Sequence, residues 1–316
     1  MIEAEGLTKR YGHTTAVDDL TFTVRPGMVT GFLGPNGAGK STTMRMIIGL
    51  DAPTSGTVRV NGKPYARHAA PLHEVGALLE ARSVHTGRSA YNHLLVLAQT
   101  AGIPRRRVDE VVDFVGLHDV ARKRAGSFSL GMGQRLGIAS ALLGDPHTLV
   151  LDEPVNGLDP DGIRWIRNLL KALAAEGRTV FVSSHLMSEM GQTADHLIVV
   201  GRGRLIADTS VQEFIARSSG NRVRVRTTDP RALTATLQLP DVTVTPVEGG
   251  ALEVTGLTTD EVGLAAGGAG ITLLELTPQQ TSLEEAFMAL TQDSVEYHGA
   301  TTTEGRRALQ NTGADR

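Results

Sequence analysis

A glycine-rich stretch ending in a lysine and a serine stands between a short apolar segment and a helical one. Glycines let the backbone curve so that its amide groups point at phosphate oxygens, and a helix N-terminus behind them adds partial positive charge. In this pattern Lys40 reaches the β- and γ-phosphates, and the Ser41 hydroxyl completes a magnesium shell. The alternative, a purely structural loop, is disfavoured by the strand predicted over 29–33 and the helix predicted over 42–50. The predicted phosphate contacts are Gly34, Pro35, Asn36, Gly37, Ala38, Gly39, Lys40, Ser41 and Thr42.

Two acids follow a second apolar segment, over 149–151. Asp152, at the end of a buried strand, can hold Mg²⁺ from the side opposite Ser41. The next residue, Glu153, then faces the γ-phosphate and can orient an attacking water. The alternative is that both acids only cap the strand before a turn. Together with the phosphate loop, the pair instead predicts a phosphoryl-transfer site.

The elements that must position these residues alternate between strands and helices, each ending in a polar loop. This order predicts a largely parallel sheet that binds its ligands at the carboxyl ends of the strands. The first 24 residues alternate like antiparallel strands. Between about 85 and 145 the period becomes helical, with Val108, Val111, Val112 and Val115 on one face. We therefore expect an α/β core with an antiparallel β-subdomain and a helical subdomain.

The pattern changes after about residue 218, where Arg222 to Arg226 alternates strictly between charged and apolar residues. The elements that follow give the order β-α-β-β-α-β, typical of ferredoxin-like modules. A last helix is predicted over 283–290, behind Ser282 and Glu285 in capping-box spacing. We predict a core over 1–218, an α+β accessory module over 219–297 and a disordered tail over 298–316.

Composition excludes several classes of protein. The 316 residues are 41% apolar, carry a net charge of −3 and include no cysteine, so disulfides and thiolate metal sites are excluded. No apolar run approaches the ~20 residues of a membrane helix, and the N-terminus lacks a secretory apolar core. The arginines at 105–107 and 222–226 have no interleaved aromatic residues, so we expect no nucleic-acid partner. The first run starts a solvated helix or, alternatively, contacts lipid head groups.

Six motifs occur in the order and rough spacing of an ABC-transporter ATPase subunit, which the chain resembles over about residues 1–215. They are Tyr11-Gly12, the phosphate loop, Ser129 to Met132, Leu149 to Pro154, Gly157 to Asp159 and Ser184-His185. The resemblance implies a P-loop NTPase core of ABC ATPase type that binds and hydrolyses ATP with Mg²⁺. The C-terminal part is similar to that of the drug- and antibiotic-export branch, the daunorubicin- and bacitracin-resistance type.

The resemblance also implies roles for residues outside the phosphate loop. Tyr11 would stack on adenine, or alternatively plug the edge of the β-subdomain. His185 would contact the γ-phosphate and hold the water at Glu153, where the alternative is an ordinary surface histidine. Asp159 would lie at a dimer interface beside the partner's phosphate loop. Ser129 and Gly131 would meet the γ-phosphate of ATP held by the other subunit, at the start of a helix predicted over 133–143.

The sequence departs from the family pattern at two places. Leu130 and Met132 replace a glycine and a glutamine of the signature segment, which removes a small side chain and a polar contact. Glu80 stands where most of the superfamily has a glutamine that touches magnesium and senses the transmembrane partner. Glutamate is frequent there in the export-like branch, and the resemblance makes Glu80 a third magnesium contact beside Ser41 and Asp152. The alternative is a solvated loop acid.

Taken together, these features predict one subunit of an ABC exporter. We expect ATP-driven homodimerisation and a separate integral-membrane permease through which a drug, antibiotic or similar amphiphile leaves the cell. The protein would then sit at the cytoplasmic face of a bacterial membrane. The alternative is a soluble ABC-type ATPase with a regulatory or mechanical role, although such proteins usually carry two ATPase cores or a long coiled-coil insertion.

Overall fold

A computed structural model describes residues 1–80, 84–218, 221–279 and 282–291. The strands are β1 (Ile2–Tyr11), β2 (Thr14–Val24), β3 (Val29–Leu33), β4 (Ser55–Val60), β5 (Val75–Leu78), β6 (Thr148–Leu151), β7 (Thr179–Ser184), β8 (His196–Gly201), β9 (Arg204–Ser210), β10 (Arg222–Thr227), β11 (Thr243–Val247), β12 (Ala251–Thr255) and β13 (Leu273–Gln279). The α-helices are α1 (Lys40–Ile47), α2 (Pro71–Glu74), α3 (Ala90–Thr100), α4 (Arg105–Phe114), α5 (Leu130–Leu142), α6 (Pro160–Ala175), α7 (Met187–Thr193), α8 (Val211–Ser218), α9 (Pro230–Thr236), α10 (Thr259–Gly268) and α11 (Leu283–Thr291).

The central sheet has six strands in the order β5-β6-β7-β3-β8-β9, and only β9 runs antiparallel to its neighbour. Every residue of β3, β6 and β7 is buried. Strands covered on both faces lose the apolar–polar alternation and become continuous apolar runs, as here. The predicted, largely parallel sheet is therefore confirmed.

A second sheet, antiparallel and in the order β2-β1-β4, packs on one face of the central sheet. Phe22 of β2 lies between the two, with its ring centroid 6.0 Å from that of Phe32 and 5.9 Å from that of Phe181. These aromatic contacts join the antiparallel subdomain to strands β3 and β7. Because β3 and β7 also carry site residues at their carboxyl ends, this packing fixes the frame of the site.

The helical subdomain consists of α3, α4 and α5, which pack against one another. Val108, Val111 and Val112 form the buried face of α4, and Val115 continues it beyond the helix end, as the periodicity predicts. Gly116, with φ of 71°, ends this segment in the left-handed region that glycine tolerates. α5 extends from this subdomain to strand β5, so it connects the helical subdomain to the central sheet.

The C-terminal module is a four-stranded antiparallel sheet in the order β11-β12-β10-β13, with α9 and α10 against it. This strand order is the one that a β-α-β-β-α-β chain produces in a ferredoxin-like fold. α11 packs against α7 and α8 instead, where Leu283, Ala286 and Phe287 join the core of the ATPase region. The division at 218, 219 and 297 stays a prediction, and the tail predicted over 298–316 lies outside the described residues.

One helix boundary was predicted wrongly. The helix expected over 133–143 begins at Leu130 and ends at Leu142. Ser129 is its N-cap, and its Oγ accepts a hydrogen bond from the Met132 amide at 3.2 Å. Glycine at 131 and 133 masked the helix start in the sequence, because glycine has low helix propensity. Elsewhere in the described part of the chain, none of the helices combines the length and apolar character needed to cross a bilayer.

Candidate ATP site

Three neighbouring strand ends bring the predicted site residues together. Leu151 of β6 pairs with Val182 of β7, and Leu33 of β3 pairs with Ser184 of β7. The chain that leaves each strand therefore arrives at one edge of the sheet. Asp152 and Glu153 follow β6, His185 follows β7, and the phosphate loop follows β3. This is the edge at which parallel α/β sheets bind ligands.

The phosphate loop is held in a conformation that its glycines allow. Gly39 is the N-cap of α1 with φ of 94°, and a β-carbon there would lie 2.4 Å from the Ala16 carbonyl oxygen. A β-carbon at Gly34 would lie 2.4 Å from the Val200 carbonyl oxygen. Only glycine fits at either position without a shift of the backbone. The loop borders a cavity of about 430 Å³, lined by Ala16, Asn36, Gly37, Ala38, Gly39, Lys40, Ser41, Thr42, Leu79, Asp152 and Glu153.

Lys40 is a buried cation at the floor of this cavity, with 8% of its surface exposed. Its Nζ donates hydrogen bonds to the carbonyl oxygens of Gly34 at 2.6 Å and Pro35 at 3.1 Å. Burial lowers the pKa of Lys40, and the nearby carboxylates of Glu153 and Asp152 oppose that shift. A buried ammonium whose closest partners are neutral carbonyls is suited to an anionic ligand, which would compensate its charge.

Ser41 and Asp152 form the candidate magnesium position. The Ser41 hydroxyl donates to Asp152 Oδ2 at 2.6 Å, and the Ser183 hydroxyl donates to Asp152 Oδ1. A hydroxyl and a carboxylate side by side are oxygen ligands of the kind that Mg²⁺ prefers. The second hydrogen bond orients the carboxylate. The donor set therefore fits the predicted ion.

Glu153 and His185 are paired directly, since His185 Nδ1 lies 2.8 Å from Glu153 Oε2. Glu153 has φ of 51°, in a region that costs a non-glycine residue about 1–2 kcal/mol. Its amide donates to Ser183 Oγ at 3.0 Å, which helps to hold this conformation. Glu153 lines the cavity, and 22% of its side chain is exposed. The carboxylate is thus held by its backbone and by an imidazole, beside the phosphate loop.

Tyr11 lies outside the set of residues that line the cavity and is 48% exposed. Its hydroxyl donates to Asp51 Oδ2 at 3.0 Å, and the same carboxylate oxygen accepts from Arg45 Nε at 2.7 Å. Lys9 Nζ lies 5.0 Å from the centroid of the Tyr11 ring. The ring is therefore oriented from its hydroxyl end, which leaves a surface for stacking.

Glu80 follows β5 by two residues and is exposed. Its neighbour Leu79 lines the cavity, whereas Glu80 is absent from that lining in the described part of the chain. The hydrogen bond to Asp51 is the main cause that raises the pKa of Arg45, and the charge of Glu80 contributes to the same shift. Its predicted contact with magnesium stays a prediction.

The remaining predicted residues lie at the N-termini of two helices. Asp159 is the N-cap of α6, and its Oδ1 accepts from the Gly162 amide at 2.9 Å. Ser129 is the N-cap of α5, and a β-carbon at Gly131 would lie 2.8 Å from the Gly157 carbonyl oxygen. None of the three lines this subunit's own cavity in the described residues. Such a position is compatible with contacts to a second subunit.

Two polar residues of the site escaped the sequence analysis. Ser183 is fully buried and joins Asp152 to the amide of Glu153. Gln134, 2% exposed on α5, donates from Nε2 to the Glu153 carbonyl oxygen at 3.0 Å. A serine before Ser184-His185 at a strand end was one available signal. The other was a glutamine in an otherwise small and apolar helix, three residues after Gly131.

Comparison with known proteins agrees with this geometry. The family model described as "ABC transporter" matches residues 17–156, and a domain of unknown function matches 221–284. The bacitracin transport ATP-binding protein BcrA of Enterococcus faecalis is 42% identical over 221 residues, which are 69% of this chain and 72% of that protein. The chain belongs to the ABC transporter ATP-binding proteins.

Other relatives place this ABC ATPase among transport proteins of the same kind. BcrA of Bacillus licheniformis is 44% identical over 66% of this chain and 69% of its own length. The lantibiotic transport ATP-binding protein SrtF of Streptococcus pyogenes is 36% identical over 66% and 90%. Among solved structures, an ATP-binding subunit of an ABC transporter is 26% identical, with a TM-score of 0.63 over 69% of this chain and 92% of that one.

A more distant structure supports the fold alone. It is a dimeric ATP-binding cassette in a post-hydrolysis state with ADP and Pi, 23% identical with a TM-score of 0.61 over 67% of this chain and 99% of that one. The predicted fold class, an α/β core of ABC ATPase type, is confirmed. As a member of this family, the ABC ATPase binds and hydrolyses ATP.

Proposed function

We propose that the cavity between the phosphate loop and Glu153 is the hydrolytic site of this ATPase. The observation that carries the proposal is the 2.8 Å contact between Glu153 and His185, next to the buried cation Lys40. A carboxylate held at the mouth of a phosphate cradle can orient water for attack on the γ-phosphate. His185 fixes the carboxylate, and the imidazole can contact the same phosphate. Lys40 compensates the phosphate charge, and in turn regains the anionic partner that it lacks.

Ser41 and Asp152 would hold Mg²⁺, with Glu80 as a further contact. The ion supplies neutralisation of charge on the β- and γ-phosphates when it is bound. The contribution of the chain is to keep Asp152 ionised and oriented, through the hydrogen bonds from Ser41 and Ser183. Tyr11, oriented by Asp51, provides the ring that would stack on adenine.

The working unit we propose is a homodimer closed by ATP. Ser129, Gly131 and Asp159 support this, because they lie at helix N-termini and away from their own subunit's cavity. The amide groups and partial positive charge of a helix N-terminus favour a phosphate group. In a dimer, the start of α5 would be offered to ATP on the partner. Hydrolysis would then remove the contact that holds the two subunits together.

We propose further that this dimer energises export of an antibiotic or similar amphiphile through a separate permease, at the cytoplasmic face of the membrane. The identity of 42–44% to the two bacitracin transport proteins supports this assignment. The lantibiotic transport relative points to the same chemical class, an amphiphilic peptide. The alternative of an ABC ATPase uncoupled from transport has no comparable relative to favour it.

A resistance assay tests the export proposal. The chain and the permease encoded beside it would be expressed, singly and together, in a strain sensitive to bacitracin and lantibiotics. We expect raised resistance only when both are present, with the ATPase in the membrane fraction. Glu153→Gln is the matched control, because it removes catalysis and leaves the permease contacts in place. The export proposal is contradicted if the chain stays in the soluble fraction and resistance does not change while its ATPase activity is intact.

A further inference from the structure

Glu153 is held by more than its pairing with His185. Its amide donates to Ser183 Oγ, and its carbonyl oxygen accepts from Gln134 Nε2 at 3.0 Å and from the Asn156 amide at 3.2 Å. The backbone conformation at Glu153, with φ of 51°, is one that the residue would not choose by itself. Surrounding contacts must therefore impose it. Gln134 is the contact among these that comes from a distant helix.

The environment of Gln134 makes this contact a demanding one. The side chain is 98% buried by the same measure that leaves it 2% exposed, and its described hydrogen bond goes to the Glu153 carbonyl. A buried amide is costly unless it is paired, so its position is tied to that of Glu153. If the carbonyl of Glu153 turned away, both groups would lose a partner. The hydrogen bond thus holds the peptide that follows the catalytic carboxylate.

The same helix touches the loop after Glu153 at a second point. A β-carbon at Gly157 would lie 2.4 Å from side-chain atoms of Leu130, and one at Gly131 would lie 2.8 Å from the Gly157 carbonyl. Leu130 and Gly131 precede Gln134 by four and three residues, so all three share one face of α5. That face lies along the 153–157 loop. The first turn of α5, which carries Ser129, is therefore joined rigidly to the backbone of Glu153.

We infer that Gln134 is a positioning residue that holds the Glu153 carboxylate in its hydrolytic orientation from within the same subunit. The inference rests on the proposed function, because it takes Glu153 as the residue that orients water. Gln134 reaches no phosphate of its own subunit's cavity and acts only through the Glu153 backbone. It also ties this carboxylate to the helix whose Ser129 would meet the partner's ATP. A subunit that recognises its partner's ATP through α5 then has its own Glu153 in place.

The test separates this role from a general effect on α5. Gln134→Met keeps the size of the side chain and removes the donor, so kcat should fall about 10- to 100-fold because the carboxylate is misplaced. The KM for ATP should stay within about twofold, since no ATP contact is removed. When Gln134→Met is added to Glu153→Gln, ATP should still drive dimer formation as in Glu153→Gln alone. That result would show that the start of α5 still binds the partner's ATP.

Arg135→Met is the matched control. Arg135 also lies on α5 and donates to a backbone carbonyl, that of Val115 at 2.8 Å, but it does so away from Glu153. It should lower the melting temperature without the loss of kcat. The inference is overturned if Gln134→Met keeps kcat within twofold of wild type, if it loses ATP-driven dimer formation together with kcat, or if Arg135→Met loses as much kcat. If Glu153→Gln itself hydrolyses ATP at the wild-type rate, the proposed function fails instead.

Discussion

The ATP cleft and the C-terminal module are both built from strands and helices, but they handle polar groups in opposite ways. Around the cleft the protein buries Lys40, Gln134, Ser183 and Ser184. In the described module over 221–279, the only buried residue of polar type is Thr227. Its charged side chains lie on the open face of the sheet, as in the ion pair between Arg224 and Glu275 at 3.4 Å.

The difference separates function from architecture. Buried polar groups cost free energy unless each is paired, and the cleft pairs them through a chain of contacts from Ser41 to Asp152, Ser183 and the Glu153 backbone. The module instead has an apolar core of the ordinary kind, with Val223, Val225 and Val254 fully or nearly fully buried. Substitutions of polar residues should therefore affect catalysis in the cleft and, at most, stability in the module.

The largest contrast is expected for the loss of a cation. Lys40→Met should weaken ATP binding by at least about 100-fold, because a buried charge facing phosphate is removed, which corresponds to about 3 kcal/mol. Arg224→Met, in the exposed sheet face of the module, should leave ATP affinity unchanged. Fluorescent-nucleotide titration measures both. A loss below about threefold for Lys40→Met would remove Lys40 from the site.

A smaller contrast is expected for two helix N-caps. The Ser129 and Thr258 hydroxyls each accept a backbone amide at the start of a helix, so either alanine variant should lower the free energy of unfolding by about 1 kcal/mol. Ser129 can also donate its hydroxyl proton to the partner's ATP, so Ser129→Ala should lower turnover about tenfold. Thr258→Ala should not. Chemical denaturation and steady-state turnover give the two quantities. Equal turnover in both variants would argue against a role for Ser129 in the dimer.

The smallest effect is expected at the surface of the ATPase region. The hydrogen bond from Arg178 is the main cause that lowers the pKa of Asp145, whose side chain is 63% exposed. A carboxyl with a lowered pKa in the folded state stabilises the protein above its ordinary pKa and loses that contribution as the pH falls through the folded value. Asp145→Asn should therefore cost less than about 1 kcal/mol at neutral pH. The difference from wild type, followed by thermal unfolding, should shrink below about pH 4 and leave turnover unchanged.

The sequence predicted the elements of the module well, because they depend on local signals. Arg222 to Arg226 alternates in strand-like fashion, and Thr258 with Glu261 forms the capping box that starts α10. The phosphate loop was equally clear, since its chemistry requires a fixed spacing. The same holds for Asp152 and Glu153, which a buried strand places at the edge of the sheet.

What the sequence could not predict depends on contacts between distant segments. The left-handed conformation of Glu153 and its support by Gln134 join residues 19 positions apart. The role of Ser183 follows from the pairing of β6 with β7, which no local pattern contains. The packing of α11 on α7 and α8 likewise joins the end of the chain to the helix that follows His185. Such contacts are set by tertiary structure and leave little trace in periodicity.

The most direct measurement of the central claim is the hydrolysis rate and the oligomeric state of Glu153→Gln in the presence of ATP and Mg²⁺. Glutamine keeps the shape of the side chain but cannot polarise water as a carboxylate does. We predict that turnover falls about 10²- to 10⁴-fold while ATP still binds and a dimer accumulates in gel filtration. Hydrolysis at the wild-type rate would contradict the assignment of Glu153, and with it the account of the cleft.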